Sequence, residues 1–399
     1  MNLEKADQPV EPRRRRPRVA LIVETSLGSG RDILRGIARF LHERRIWSIY
    51  HEVRSLEDGF PPALADWMGD GIIARIPTRE IGERIKRAGL PTVDVLGMVP
   101  ELGLPIVHVD DEAVAGLAAE HLLSRGFRSF GFVGYGGVNW SRNRREAFST
   151  IVRRSGARCE VLEDMSRHPA VNWEEQLDRL VQFVAGLPKP AGIMLASDQL
   201  GPAVLEACRR VPVKVPDEVA VIGVDDDDPL CAVSDPPLSS VRPDHFRVGY
   251  QAASLLDRML NGEAPPAEPI LVPPIGVTTR LSTEVLALED RVVAEALRFI
   301  RENSCNGIKV DDVVAETGVS RSVLQRRFRD QLGRTIHDEI LRIRIDAAKS
   351  MLADTDLPIA EIAERCGFRH QEYLGAVFRR KLRTTPARFR RSVREQGVA

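Results

Sequence analysis

The sequence predicts a two-lobed α/β unit with parallel sheets over residues 18–280 and an all-α unit with two helix-turn-helix motifs over residues 291–399. Three observations support this. Short apolar runs alternate with amphipathic stretches from Arg18 to Leu260, the strand pattern stops near residue 280, and charge divides at the same place. The 399 residues balance 57 Lys and Arg against 57 Asp and Glu, yet residues 291–399 hold 22 against 15. A basic last quarter on an acidic body implies that the last quarter meets a polyanion while the body does something else.

The α/β rhythm runs Val19–Val23 then Asp32–Glu43, Gly71–Ile76 then Glu80–Ala88, Thr92–Leu96, and Ile106–Val109 then Glu112–Ser124. It continues through Phe130–Gly134, Asn143–Arg154, Gly192–Leu195, Gln199–Arg210, Val219–Val224 and a closing helix Phe246–Leu260. Apolar runs without alternation imply strands buried on both faces, hence mostly parallel sheets covered by helices. So many units over about 260 residues exceed one small doubly wound sheet, and two lobes are expected.

Residues 1–17, with Arg13 to Arg16, are expected to be a disordered basic leader: a strand pattern follows at once, with no apolar signal segment. Asn261-Gly262, Pro265-Pro266 and Pro273-Pro274 mark the approach to a linker at 281–290. No apolar run approaches the roughly 20 residues that span a bilayer, and no membrane role is expected. The five cysteines are isolated, without zinc-ligand spacing, which fits a reducing, cytoplasmic setting; no metal or other cofactor is expected.

After residue 290, seven helices are expected at 291–302, 310–317, 320–331, 336–352, 359–365, 370–381 and 386–392. In the first helix-turn-helix, Gly318 makes the turn, Ser320 can cap the second helix, and Val323, Leu324 and Phe328 face inward. The opposite face carries Arg321, Ser322, Gln325, Arg326 and Arg329, donors suited to base edges and phosphates. In the second, Gly367 makes the turn, Tyr373 and Phe378 pack inward, and Arg369, His370, Gln371 and Glu372 open the recognition helix, with Arg379 and Arg380 behind them.

The string Ile359-Ala360-Glu361-Ile362-Ala363 through Gly367-Phe368, Tyr373, Phe378-Arg379-Arg380 and Thr385-Pro386 closely resembles the signature of AraC-type regulators. The resemblance covers residues 291–392 and implies two helix-turn-helix units joined by a central helix over Ile336–Leu352, inserted into successive major grooves. Arg369 stands where that family usually has Ser, Leu374 where it has Phe, and Arg383 where it has Gly.

In the α/β unit, the loops after the strands repeat carboxylates, arginines and small hydroxyls: Thr25-Ser26, Asp110-Asp111, Arg142 and Arg144, Ser197-Asp198, and Asp225-Asp226. A neutral polyol asks for such groups, since each hydroxyl both donates and accepts. Trp140 could stack on a pyranose face. Val109-Asp110-Asp111, Leu195-Ala196-Ser197-Asp198-Gln199 and Val221-Ile222-Gly223-Val224-Asp225-Asp226 resemble the sensor domain of LacI-type regulators, which is periplasmic-binding-protein-like. This resemblance implies that Asp110, Arg144, Ser197 and Asp225 touch the ligand; Ser197 replaces a commoner Asn. The family's N-terminal DNA-binding headpiece has no counterpart, because the first strand begins by Val19.

A LacI-type sensor fused to an AraC-type C-terminal domain is the arrangement of the xylose-operon regulators. The resemblance implies a cytoplasmic homodimer that binds promoter DNA, responds to a monosaccharide such as D-xylose, and recruits RNA polymerase as an activator; the alternatives are a different monosaccharide or action as a repressor. An enzyme is disfavoured. Gly28-Ser29-Gly30 and Gly134-Tyr135-Gly136-Gly137 lack the spacing of phosphate loops, and neither a nucleophile elbow nor a metal set occurs. Asp225 to Asp228 read as an acidic loop in preference to a metal site. A sugar-uptake protein would share the sensor fold but would lack the basic helical domain.

Overall fold

The computed structural model describes residues 16–44, 47–55, 58–62, 67–166, 172–284 and 290–396, so Arg13, Arg14 and Arg15 of the leader and residues 285–289 of the linker lie outside the described residues. The first lobe is built on β1 (Arg18–Ile22), α1 (Gly28–Arg44), β2 (Ser48–His51), β3 (Gly71–Ala74), α2 (Arg79–Arg87), β4 (Thr92–Asp94) and β5 (Val107–Val109). Its sheet is parallel in the order β2-β1-β3-β4. Val19, Ala20, Leu21 and Ile22 are all buried because helices cover both faces, which removes the alternation a half-exposed strand would show.

The second lobe follows with α3 (Asp111–Leu123), β6 (Ser129–Tyr135), α4 (Asn139–Arg154), β7 (Arg158–Met165), α5 (Trp173–Gly186), β8 (Ala191–Leu195), α6 (Gly201–Arg210), β9 (Val219–Val224), α7 (Asp228–Val233) and β10 (Ser239–Arg242). The chain then returns to the first lobe as α8 (His245–Leu260), pairs β11 (Ile270–Val272) with β5, and re-enters the second lobe as β12 (Gly276–Thr278). The sheet order is β12-β10-β9-β8-β6-β7, parallel except for β12. α1 and α8 meet backbone to backbone. A Cβ at Gly36 would fall 2.0 Å from the Phe246 carbonyl, and one at Gly249 2.0 Å from that of Ile33.

The expected strands and helices are present, but the sequence reading passed over β2, β7, β10, β11, β12, α5 and α7. β2 and β7 are edge strands with exposed and half-buried residues, so they lack the apolar run used to find the others. α5 had a readable signal: an Asn172 cap followed by Leu177, Leu180 and Val184 on one face.

The C-terminal helices are α9 (Arg291–Asn303), α10 (Val310–Thr317), α11 (Arg321–Leu332), α12 (Ile336–Asp354), α13 (Ile359–Arg365), α14 (Gln371–Leu382) and α15 (Pro386–Gln396). Two cores form. Val293, Leu297, Ile300, Val313, Leu324, Phe328 and Ile340 make the first, and Leu341, Ile345, Leu352, Ile362, Leu374, Val377 and Phe378 the second. α12 contributes to both and joins them. Gly367 is required twice over: its φ is +76°, and a Cβ there would sit 2.5 Å from the Ser304 carbonyl.

Two expectations need correction. Tyr373 does not pack inward: it is 42% exposed, its ring edge against Phe368, while Leu374 fills the core. The buried stripe of α14 runs 374, 377, 378, and position 373 falls one step off it. Ser320 stands at the N-cap of α11 but its hydroxyl pairs with Ser322 and caps no backbone N–H.

Candidate functional site

The carboxyl ends of both sheets converge on one cleft. From the first lobe come Glu24 after β1 and Arg75 after β3, an ion pair buried at 1% and 8% exposure, with Arg75 also donating to the Ser29 hydroxyl at 3.1 Å. Asp94, ending β4, accepts from the Leu96 and Gly97 amides at 2.9 and 3.1 Å. Its burial outweighs those bonds and pushes its pKa up to about 6.

From the second lobe, Arg144 on α4 is buried, donates from Nε to Asp111 Oδ1 at 2.8 Å and from a terminal nitrogen to the Ala196 carbonyl at 2.7 Å. Its guanidinium lies 4.9 Å over the Trp140 ring, whose other neighbour is Tyr135, edge-on at 5.9 Å. Ser197 donates to Asp225 Oδ2 at 3.0 Å, and His245, opening α8, sits 3.4 Å from Asp225 Oδ1. Burial works to raise the Asp225 pKa, but the His245 hydrogen bond and the Arg144 charge outweigh it and hold the carboxylate below its ordinary value. His108 lies 3.8 Å from Asp111 Oδ2, and burial lowers its pKa to about 4, so its imidazole is neutral at physiological pH.

A cavity of about 540 Å³ opens on the His108 side of this cluster, lined by His108, Asp110, Asp111 and Trp140 and, along α4, by Glu146, Thr150 and Arg154; Arg144, Ser197 and Asp225 do not line it. Of seven buried side-chain polar atoms without a hydrogen-bond partner among the described residues of the two lobes, Glu24 Oε2, Arg75 Nε and His108 Nε2 lie in this cluster. Buried polar atoms are nearly always satisfied, so these three call for a ligand or ordered water.

The structure thus brings together Arg144, Ser197, Asp225 and Trp140 of the expected ligand set. Asp110 is at the cavity, but its carboxylate accepts from the Ala113 amide at 2.9 Å as the N-cap of α3, and Asp111 is the partner of Arg144. Asp198 is fully buried and committed to Ser240, the Asp227 amide and Cys231, so it braces the loop beneath Asp225. Thr25 and Ser26 stand in the β1–α1 loop, with both carbonyls held by Arg31; Arg142 is exposed on α4. Glu24, Arg75, His108 and His245 escaped the sequence reading, since one charged residue at the end of an apolar run carries no periodic signal. The acidic loop is spent internally: Asp226 takes Thr278 and Arg280, and Asp227 takes the Gly28 amide. Among the described residues no cluster fit to hold a metal ion occurs, and no helix is long and apolar enough to cross a membrane.

On the C-terminal unit, Arg321, Ser322, Gln325, Arg326 and Arg329 are exposed along α11. Arg321 also pairs with Asp311 at 2.8 Å. Arg369, the His370 N-cap, Gln371 and Glu372 are exposed where α14 begins, with Arg379 and Arg380 exposed two turns on. Each face is therefore free for a groove or a phosphate chain.

Comparison with known proteins agrees with this architecture. Residues 119–283 match a family model described as a periplasmic binding protein-like domain, and residues 313–392 match one described as a helix-turn-helix domain. The xylose operon regulatory protein of Escherichia coli K12 is 33% identical, the match covering 94% of this chain and 97% of the relative. That of Haemophilus influenzae is 32% identical over 94% of this chain and 98% of the relative. A solved xylose-binding transcription activator aligns over 95% of this chain and 98% of its own length, at 31% identity and a TM-score of 0.62. The chain is a DNA-binding transcription regulator and not an enzyme, with a sugar-binding sensor domain ahead of its helix-turn-helix domain, and it belongs to the family of the xylose operon regulatory proteins.

Proposed function

We propose that the chain activates sugar-catabolic genes in response to D-xylose held in the cleft between the lobes, acting in the cytoplasm as a homodimer on promoter DNA beside RNA polymerase. The observation that carries the sugar reading is the polar balance of the cleft. Glu24 pairs with Arg75 and Asp111 with Arg144, Asp225 lies against His245 and Ser197, and Glu24 Oε2, Arg75 Nε and His108 Nε2 have no hydrogen-bond partner among the described residues. A cleft offering both donors and acceptors suits a neutral polyol, whose hydroxyls do both. D-Xylose and activation are favoured by the names of the relatives. We assign residues 18–280 to the sensor and 291–399 to the DNA-binding domain. Thr25, Ser26, Asp110, Trp140, Arg142, Arg144, Ser197, Asp198 and Asp225 remain the expected ligand set, to which we add Glu24, Arg75, His108, Asp111 and His245. On DNA, the exposed faces of α11 and α14 would read bases, and Arg379 and Arg380 would meet phosphates.

The test is DNA affinity of the intact protein and of residues 285–399, each titrated with D-xylose and a panel of other monosaccharides. Sugar should change the affinity of the intact protein by about 1–3 kcal/mol and leave the fragment unchanged. A response to another sugar alone would reassign the effector. Indifference to every sugar would overturn the reading.

A further inference from the structure

Helix α3 has one end in the cleft and the other at Thr283, just ahead of the DNA-binding domain. Asp111, its first residue, holds Arg144. Ten residues on, about 15 Å along a helix, His121 meets the Thr283 hydroxyl through Nε2 at 2.8 Å. Just beyond the helix, Arg125 donates from Nε to the Thr283 carbonyl at 2.9 Å and from a terminal nitrogen to the His121 carbonyl at 2.9 Å. Thr283 is fully buried, its hydroxyl bonded on to Ser239, and the carbonyl of the next residue, Glu284, accepts from Arg301 of α9. A continuous set of bonds therefore runs from Asp111 through α3 to Thr283, Glu284 and the first helix of the DNA-binding domain. The residues read as the start of the linker, Ser282 and Thr283, are packed into the second lobe.

The charges at this junction are unequal. Glu339 on α12 is fully buried and holds Arg334 at 2.6 Å and Arg342 at 2.6 Å, the latter also pairing with Asp346. Arg301 and Arg125 lie within electrostatic reach of the same group, so four guanidiniums share its one buried carboxylate. Burial first, then the Arg301 and Arg342 charges, lowers the Arg125 pKa well below its ordinary value; burial also lowers that of Arg301 to about 10, against the opposing pull of Glu339. Arg125 fixes the Thr283 carbonyl on the lobe side, and Arg301 reaches the neighbouring Glu284 carbonyl from the DNA-binding domain.

We infer that α3 carries the effector signal and that Arg125 is its output contact, a positioning residue that docks the DNA-binding domain through Thr283. The coupling part rests on the effector reading above; the docking part does not. The test uses the full chain with Arg125→Ala, Arg125→Lys and Thr283→Val. Amide hydrogen exchange reads docking without sugar, and DNA affinity with and without D-xylose reads coupling. For Arg125→Ala, exchange in α9 and at residues 282–284 should rise about tenfold while β8 and β9, which report a folded sensor, stay protected. Sugar binding by calorimetry should persist, and the sugar-induced change in DNA affinity should shrink to within about twofold. Arg125→Lys, which can reach one carbonyl, should restore part of both effects, and Thr283→Val should fall between Arg125→Lys and Arg125→Ala. A wild type that ignores all sugars would overturn the effector reading together with the coupling, with docking still decided by exchange. A responsive wild type alongside an equally responsive Arg125→Ala, or unchanged exchange in α9, overturns the inference alone.

Discussion

Arg144 is the residue on which the sensor half of the protein turns. Its planar fork spans Asp111 and the Ala196 carbonyl, joining α3, α4 and the end of β8, and its face lies on Trp140. A lysine would keep the charge but present a single ammonium on a flexible stem, unable to make both bonds in one plane. Losing one charge-assisted hydrogen bond costs about 1.5–3 kcal/mol, so Arg144→Lys should weaken monosaccharide binding about ten- to hundredfold. Calorimetry against wild type measures it, with thermal unfolding to establish that the lobe is intact. Unchanged affinity would remove Arg144 from the ligand set.

At the scale of elements, the two recognition helices end alike in backbone but not in sequence. α11 ends on Gly333 at φ +67° and α14 on Arg383 at φ +56°, both left-handed. For an L-residue with a Cβ that conformation costs roughly 1–2 kcal/mol, part of which glycine gives back through its greater freedom when unfolded. Arg383→Gly should therefore stabilise the protein by about 0.5–1 kcal/mol in denaturant unfolding of the C-terminal domain. A loss of stability would mean that the Arg383 side chain contributes more than its backbone conformation costs. The departure from the AraC-type pattern at this position was legible in the sequence as a missing glycine, and its backbone consequence followed from the turn chemistry alone. Tyr373 was not so legible, since both it and Leu374 are hydrophobic neighbours and only packing against α12 and α13 decides which one is inside.

For the whole molecule, one contact between the lobes across the cleft is a carboxylate on a helix start. Asp227 of the second lobe accepts from the Gly28 amide at 3.1 Å, the first residue of α1, with Arg31 at 4.0 Å. An anion at a helix N-terminus contributes about 0.3–1 kcal/mol, more when partly buried. This contact exists only while the lobes are together, so it favours closure without touching the ligand set. Asp227→Ala should lower sugar affinity about fivefold, near 1 kcal/mol, with DNA binding in the absence of sugar unchanged. Equal sugar affinity would mean that closure does not depend on this contact.

Periodicity and turn chemistry determined the two-unit plan, the seven C-terminal helices and the ends of the main strands, because those features depend on residues close in sequence. Apolar runs buried on both faces and glycine turns followed by exposed arginines are local patterns, and they survive folding unchanged. The cleft and the domain junction depend on residues far apart. Glu24 meets Arg75 across 51 positions, Asp225 meets His245 across 20, and Arg125 meets Thr283 across 158. No local pattern marks such pairs, since a buried charge is tolerated only where the fold supplies its partner, and only the tertiary structure shows which partner that is. That is why the sequence pointed to Asp110, whose carboxylate is used within its own helix, and the folded chain to Asp111, which reaches Arg144 on the next.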